Sequence, residues 1–540
     1  MMNSDNASKT ESASTHPRFL IVGFDGLRPD AVTAEEMPAL AGFLAESHVW
    51  TNYRADFPTE TYVNHPGIFS GFRPKDHGVI ANTYFRRGMK PEEAVFRGSS
   101  LESVLAHERS EGGCGVIAVP SIGDRLGERG MTMRVYCANS VGSTRLQHVH
   151  ADRYATHVVA CVHKLDATEP ATAREALVEH YGNGVPLEFP DFKGSSLTVD
   201  LFFKEELGDA GIDRLGDVTV LWIGEPDHSS HEFGLWDDRT RAARRHADEE
   251  FARVLAWWRE TGRDAGVQLA VLSDHGHGVV RRHISMTEIL EKAGFKVATG
   301  AEVARGLDPK SVDAVLAGTY TSGLWLTEPT SENLLRARDA LMASPDIGML
   351  FSQPDEARPD AVEGRVPGTF SEALVFTNNE RSPDLRIVPR GNPATGDLVM
   401  GRELELGTGN HGGLLPQELN CVFAIAGSRF PGKGRHTEPA GHADAAVTIM
   451  DQLGLLDDEA LLPLPTGRLL VEAMEDGCTC SRGVQPAVPA VERLELACGS
   501  FTQVLERINH AGRTYLTAGY RTSDDGWCAE TGLPEDVSGK

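Results

Sequence analysis

The sequence predicts an α/β fold: a three-layer αβα sandwich with a mostly parallel central sheet, an inserted cap and a small C-terminal element. Three observations predict it. Short apolar runs of strand length recur along the chain. Longer segments of helical periodicity separate them. Several of the runs end in acidic residues, and functional groups collect beyond the carboxyl ends of strands in open parallel sheets.

Arg18–Phe24 (RFLIVGF) is the first run and ends at Asp25. Gly115–Val119 (GVIAV), Val218–Gly224 (VTVLWIG), Val267–Ser273 (VQLAVLS) and Cys421–Gly427 (CVFAIAG) read the same way, as buried strands. Pro38–Ser47, Arg239–Thr261 and Asp444–Leu455 carry the helical pattern between them. Residues 285–400 break the rhythm with many Pro, Gly and acidic residues and a few candidate strands, such as Gly323–Thr327 and Ala373–Thr377. They are expected to form the cap, leaving 18–284 and 401–474 as the core. From 475 the composition shifts again, to CTC, QPAVPAV and a further amphipathic stretch, expected to be an appended element (475–540).

At 540 residues the chain has room for roughly two to four structural units, or one large core with insertions. Hydrophobic residues at 40% and charged residues at 24% fit a globular protein. A net charge of −26 argues against nucleic acid or an anionic membrane as partner. An anionic small-molecule substrate is not excluded, because bound metal reverses the local sign. Residues 1–17 are polar and small without an apolar segment, so they are expected to be a disordered tail and no secretory signal. No apolar run reaches the ~18 residues of a membrane span. With these features the eight cysteines are expected to be reduced thiols in a cytoplasmic protein, and the group Cys478, Cys480, Cys498 and Cys528 to be packed thiols rather than a zinc site. Oligomeric state stays open.

Metal-binding residue types gather at the predicted strand ends: Asp25 after the first, Asp227 and His231 in GEPDHSSH, Asp274 and His275 in SDHGHG, with His411 in GTGNHGG. Three carboxylates and three imidazoles suit zinc, or manganese or iron. The four-residue spacing of Asp227 and His231 puts both on one face if that turn is helical. Read singly, Asp25 is better taken as a helix cap after a strand, and Thr59 is as good a hydroxyl nucleophile as Thr61. His277 reads as polar support for neighbouring ligands, and His228 as a non-ligand. His65 and His77 read as structural hydrogen-bonders, and His442 and Asp444 as caps of the last helix. A hydroxyl needs a metal or a base to become nucleophilic.

FDGLRPD, PTETYVNHPGIFSGFRPKDHGVIAN, EPDHSSHEFG, LSDHGHG and NHGG occur in the order found in the alkaline phosphatase superfamily, and the chain most resembles its nucleotide pyrophosphatase/phosphodiesterase branch. The resemblance spans Arg18–Gly278 and then Gly409–Leu455. It implies two divalent metal ions, zinc by ligand type, with manganese or iron as alternatives. One would be held by Asp227, His231 and His411, the other by Asp25, Asp274 and His275, with Thr61 between them as ligand and nucleophile. It further implies a phospho-threonine intermediate, a hydrogen bond from Asn82 to a phosphoryl oxygen, and Tyr62 as an aromatic surface for a nucleobase. The expected activity is phosphodiester or nucleotide pyrophosphate hydrolysis releasing a nucleoside monophosphate. Two departures stand out. Glu60 replaces the basic residue usual before the nucleophile, and HGGLLPQE is more similar to the phosphonoacetate hydrolase side of the superfamily. A phosphonate hydrolase or phosphomonoesterase is therefore the alternative.

Overall fold

A computed structural model describes residues 16–90, 93–110, 115–457, 462–474, 488–498 and 501–522. The expected tail lies outside these residues save for its last two, and so do Cys478, Cys480 and Cys528. Cys498 is described: its thiol donates to Gly368 O at 3.2 Å.

Eight strands form the central sheet: β1 (Arg18–Phe24), β2 (His48–Trp50), β3 (Met133–Cys137), β4 (Val158–Cys161), β5 (Val218–Ile223), β6 (Val267–Leu272), β7 (Phe423–Ala426) and β8 (Gly434–His436). Their spatial order is β8-β2-β7-β6-β1-β5-β3-β4. β1 runs parallel to both β5 and β6, and β3 parallel to β5 and β4. Only β7 runs against the rest, antiparallel to β6 and β2. Strand residues alternate between two buried clusters, as a sheet covered on both faces requires. Phe19, Ile21, Val220 and Trp222 face the helices Thr61–Ser70, Ile122–Glu128 and His442–Gln452. Leu20, Val22, Phe24, Leu221 and Ile223 face Pro38–Glu46, Phe192–Leu201 and Asp238–Trp257.

The GVIAV segment is not a strand. Val116, Ile117 and Val119 are buried, yet in a loop. Side chains take the part of a sheet partner there: Val116 N–H donates to Glu108, and Arg381 donates to Val116 O (2.8 Å) and Gly115 O (2.6 Å). The position expected of it is filled by β3 and β4.

Within 285–400 a six-stranded mixed sheet forms, in the order Val297–Thr299, Ala314–Gly318, Ser322–Leu326, Leu385–Pro389, Ile347–Ser352, Phe370–Ser371. Gly323–Thr327 matches one of these strands within a residue. Ala373–Thr377 does not: Glu372–Val375 is a 3-10 turn, because buried Glu372 turns inward to pair with Arg386. Arg386 also donates to Ile80 O, tying this sheet to the loop that carries Asn82. Ala490–Cys498, Phe501–His510 and Arg513–Thr522 form a three-stranded antiparallel sheet. Among the described residues no helix is long and apolar enough to cross a membrane.

Candidate metal centre

Four neighbouring parallel strands deliver side chains to one edge of the sheet. Asp274 follows β6, Asp25 follows β1, Asp227 lies just beyond β5 and Asn139 just beyond β3. The Asp227–Phe233 helix places Asp227 and His231 one turn apart on one face, with 3.3 Å between carboxylate and ring. His411 arrives on the short strand Gly409–Asn410, which pairs with Gly278–Ile284 directly after the SDHGHG loop.

Each carboxylate has a buried oxygen with no hydrogen-bond partner: Asp25 Oδ1, Asp227 Oδ1 and Asp274 Oδ2. For two of them the other oxygen is committed. Asp25 Oδ2 accepts from Asn139 Nδ2 (2.6 Å) and Trp222 Nε1 (2.9 Å), and Asp274 Oδ1 accepts from the N–H groups of Gly26 and His275 (both 3.1 Å). The imidazoles follow one rule. Nδ1 of His231, His275 and His411 donates to a backbone carbonyl, of Gly409 (3.0 Å), Gly276 (3.1 Å) and Thr59 (2.7 Å). That fixes a neutral ring with its Nε2 lone pair directed inward. Nε2 of His231 and Nε2 of His411 stand 3.1 Å apart, and His275 Nε2 is 3.5 Å from Asp25 and 3.4 Å from Asp274. Buried acceptors facing one another at such distances lack a cation, and carboxylate with imidazole is the donor set of zinc. The residues thus fit divalent metal, in three overlapping groups: Asp227, His231, His277 and His411; Asp25, Asp227 and His275; and Asp25, His65 and Asp274.

Burial and the neighbouring charges of Asp274 and Asp227 push Asp25 well above the usual carboxylate range, and burial pushes Asp274 up to about 8. Asp227 goes the other way: burial opposes it, but His231 and His277 pull it well down. Burial lowers His275 to about 3 and His411 well below its ordinary value, which keeps both rings neutral, the state a metal needs.

Thr61 opens the helix Thr61–Ser70 and sets its hydroxyl 3.1 Å from His275 Nε2. Thr59 is excluded from that position. Its hydroxyl donates to Gly413 O and accepts from Gly412 N–H, both at 3.0 Å, while its carbonyl holds His411. Asn82 Oδ1 accepts from Tyr62 N–H (3.0 Å), leaving its Nδ2 group for a ligand. Tyr62 is half-buried, with its ring on Gly98: a Cβ at that glycine would come within 2.2 Å of the ring, so no larger residue leaves the tyrosine where it is. Glu60 points away from solvent, accepting from Asn82 N–H and Thr319 Oγ1, and burial raises it to about 7. Glu418 of the HGGLLPQE block braces the His411 loop, accepting from Gly413 N–H (2.7 Å) and Leu415 N–H (3.0 Å).

Sequence reasoning missed Asn139 and Trp222, whose contacts to Asp25 come from sheet register, Trp222 lying opposite Cys137 on β3. It also placed His277 as support, whereas the ring lies at the ligand cluster. His65 is at the margin, Nε2 3.9 Å from Asp274. His77 accepts from Val79 N–H, and His228 turns toward Asp191, 3.9 Å away. Asp444 caps the last helix through Gly441 N–H, but His442 does not. Its Nε2 donates to Asp274 O at 2.7 Å. A cavity of about 550 Å³ is lined by Thr83, Arg97, Met286, Thr319, Tyr320 and Arg402, and Thr319 links it to Glu60 by a hydrogen bond.

An αβα sandwich carrying three buried carboxylates and inward-facing imidazoles beyond its strand ends could hold metal there. Comparison with known proteins narrows this: residues 19–404 match the type I phosphodiesterase / nucleotide pyrophosphatase family, and the chain belongs to it. It is 35% identical over 74 residues to the bis(5'-adenosyl)-triphosphatase ENPP4 of Mus musculus and of Homo sapiens, which is 14% of this chain and 16% of those proteins. Murine ectonucleotide pyrophosphatase/phosphodiesterase 5, alone and as an inactive form in complex with AMP, superposes with a TM-score of 0.56 over 85% of this chain and 100% of that one, at 17% identity. The human protein does so at 16% identity with the same score and coverage.

Proposed function

We propose that the chain is a two-metal phosphodiesterase or nucleotide pyrophosphatase that releases a nucleoside monophosphate through a phospho-threonine intermediate. The observation that carries the reading is the Thr61 hydroxyl, held against the Nε2 lone pair of His275 among carboxylates with unpaired inward oxygens. Asp227, His231 and His411 would hold one metal, and Asp25, Asp274 and His275 the other, with Thr61 as a further ligand. Zinc suits the donors best. Two such ions would lower the barrier by polarising the phosphoryl group and by acidifying hydroxyl and water. Thr61 Oγ1 gives up its proton and attacks phosphorus, and the P–O bond to the alcohol or nucleotide breaks with its oxygen taking up a proton. Water then cleaves the Thr61 Oγ1–P bond, restoring the hydroxyl and freeing the nucleoside monophosphate. Asn82 Nδ2 donates to a phosphoryl oxygen. Tyr62 offers a face to a base without selecting which. The cavity lined by Thr319 has room for the leaving portion, with Arg97 and Arg402 on its wall.

Glu418 weakens the phosphonate alternative. The residue that made HGGLLPQE distinctive ties down the loop rather than facing a ligand. The zinc-loaded protein is expected to hydrolyse bis-p-nitrophenyl phosphate and the p-nitrophenyl ester of thymidine monophosphate, with little phosphate released from phosphonoacetate. Monoesterase turnover without diesterase turnover, or phosphonoacetate as the best substrate, would refute the reading.

A further inference from the structure

His277 meets every criterion that marks the three histidines expected to be ligands. Its Nδ1 donates to Gly26 O at 3.1 Å, so the neutral ring carries its lone pair on Nε2. Nε2 has no hydrogen-bond partner and lies 3.1 Å from Asp227 Oδ1, which has none either. The ring is 1% exposed, out of reach of bulk water. The same oxygen of Asp227 is 3.3 Å from His231 Nε2 and 3.4 Å from His411 Nε2. One carboxylate oxygen therefore faces three ring nitrogens, all mutually within 4.8 Å. The backbone fixes this placement. Gly26 has φ +65°, and a Cβ there would stand 2.3 Å from His277 Cε1, so the glycine both makes the turn after Asp25 and clears the space for the ring.

We propose that His277 Nε2 is a direct ligand of the metal held by Asp227, His231 and His411, making that site one of three imidazoles and one carboxylate. The inference rests on the two-metal reading above. Four protein ligands complete a tetrahedral zinc set, to which a phosphoryl oxygen would add as a fifth donor. All four donors of the first site stay in place through turnover, whereas the fourth donor of the second is the reacting Thr61 hydroxyl, so the first metal is the firmly retained one. The second site, whose set includes the nucleophile Thr61, empties first under chelation.

Zinc-loaded protein dialysed against increasing EDTA, with metal counted by emission spectroscopy, is expected to lose one zinc well before the other. His277→Ala and His277→Gln should release the retained zinc at roughly 10–100-fold lower chelator. A hydrogen-bonding support role would produce some of that loss as well, so the deciding measurement is a crystal structure of the zinc-loaded wild type, which does not depend on the variants folding. His277 Nε2 at about 2.0–2.1 Å from the metal is the expected result. A metal on Asp227, His231 and His411 with His277 Nε2 beyond about 3 Å, donating a proton to Asp227, overturns the proposal. If wild-type protein takes up no zinc, the two-metal reading itself fails. If it takes up two and His277 stands apart, only this inference does.

Discussion

At the scale of single residues, the two hydroxyls at 59 and 61 have separate jobs. Thr61 Oγ1 faces His275, while Thr59 spends its donor and its acceptor on the glycines after His411. Thr61→Ala should cut turnover on the order of a thousandfold or more while zinc content stays at wild-type stoichiometry, because Thr61 is only one of several ligands. Thr59→Val should leave activity within about tenfold and cost roughly 1–3 kcal/mol of stability, since it strands Gly412 N–H in a buried loop. Activity and urea melts of the pair, measured side by side, check both. Near-normal turnover in Thr61→Ala would mean that water attacks directly. How far the site was legible divides along the same line. Asp25, Asp227 and Asp274 could be read because they follow apolar runs, and His231 because of its helical spacing. Asn139 could not, because only the placement of β3 beside β5 brings it to Asp25, and no local pattern encodes which strands become neighbours. His277 was visible as a residue but not as a ligand, since its direction is set by a hydrogen bond to Gly26.

At the scale of elements, the apolar pattern located four of the central strands and failed where burial had another source. GVIAV has the composition of a strand, but Arg381 and Glu108 satisfy its backbone, and periodicity cannot foresee a distant arginine doing so. β3 and β4 were missed because they are short, and β3 carries Arg134 and Tyr136, both bonded to Glu206. The same region contains a pH-sensitive clamp. His150 joins the helix Ile122–Glu128 through Asp124 and the end of the helix Leu101–Glu108 through Glu108, both at 2.8 Å. Burial opposes the charge on His150, but hydrogen bonds to the two acids outweigh it and raise the ring from 6.5 to about 9. A raised basic group stabilises the fold fully below its unfolded value, and that contribution is lost as pH climbs through its folded one. The window is thus pH 6.5 to 9. At ~1.4 kcal/mol per pH unit, screened for partial exposure, the loss across it comes to roughly 1–2 kcal/mol. Wild type minus His150→Gln, followed by urea unfolding at fixed zinc, should show that decline, with the common metal contribution cancelling. A difference that stays flat from pH 6.5 to 9 would show that the clamp carries no charge.

At the scale of the whole molecule, the C-terminal sheet is the part whose composition said least and whose contacts reach furthest. It grips core, cap and site loop at once. Thr514 O accepts from Arg73, which itself pairs with Asp56 just ahead of the nucleophile helix. Arg521 donates to Ser344 O and Ile347 O in the cap, Gln503 Oε1 accepts from Leu350 N–H (2.7 Å), and Gly519 N–H donates to Leu414 O (2.7 Å), three residues beyond His411. Leu505 and Leu516 are fully buried against Met349, Phe351 and Leu414. Each such leucine contributes about 1.5–3 kcal/mol, so ending the chain after Met474 removes several kcal/mol and uncovers the apolar face of the cap sheet. That truncation should express poorly, bind a hydrophobic dye and hold less zinc, because the His411 loop loses its tie to Gly519. Gln503→Ala is the milder probe. It leaves Leu350 N–H buried without a partner, which costs roughly 1–3 kcal/mol and should lower the melting temperature by several degrees with turnover retained. A truncated protein with wild-type zinc content and turnover, together with an unchanged Gln503→Ala melt, would show that the sheet is an appendage and that core and cap hold the site unaided.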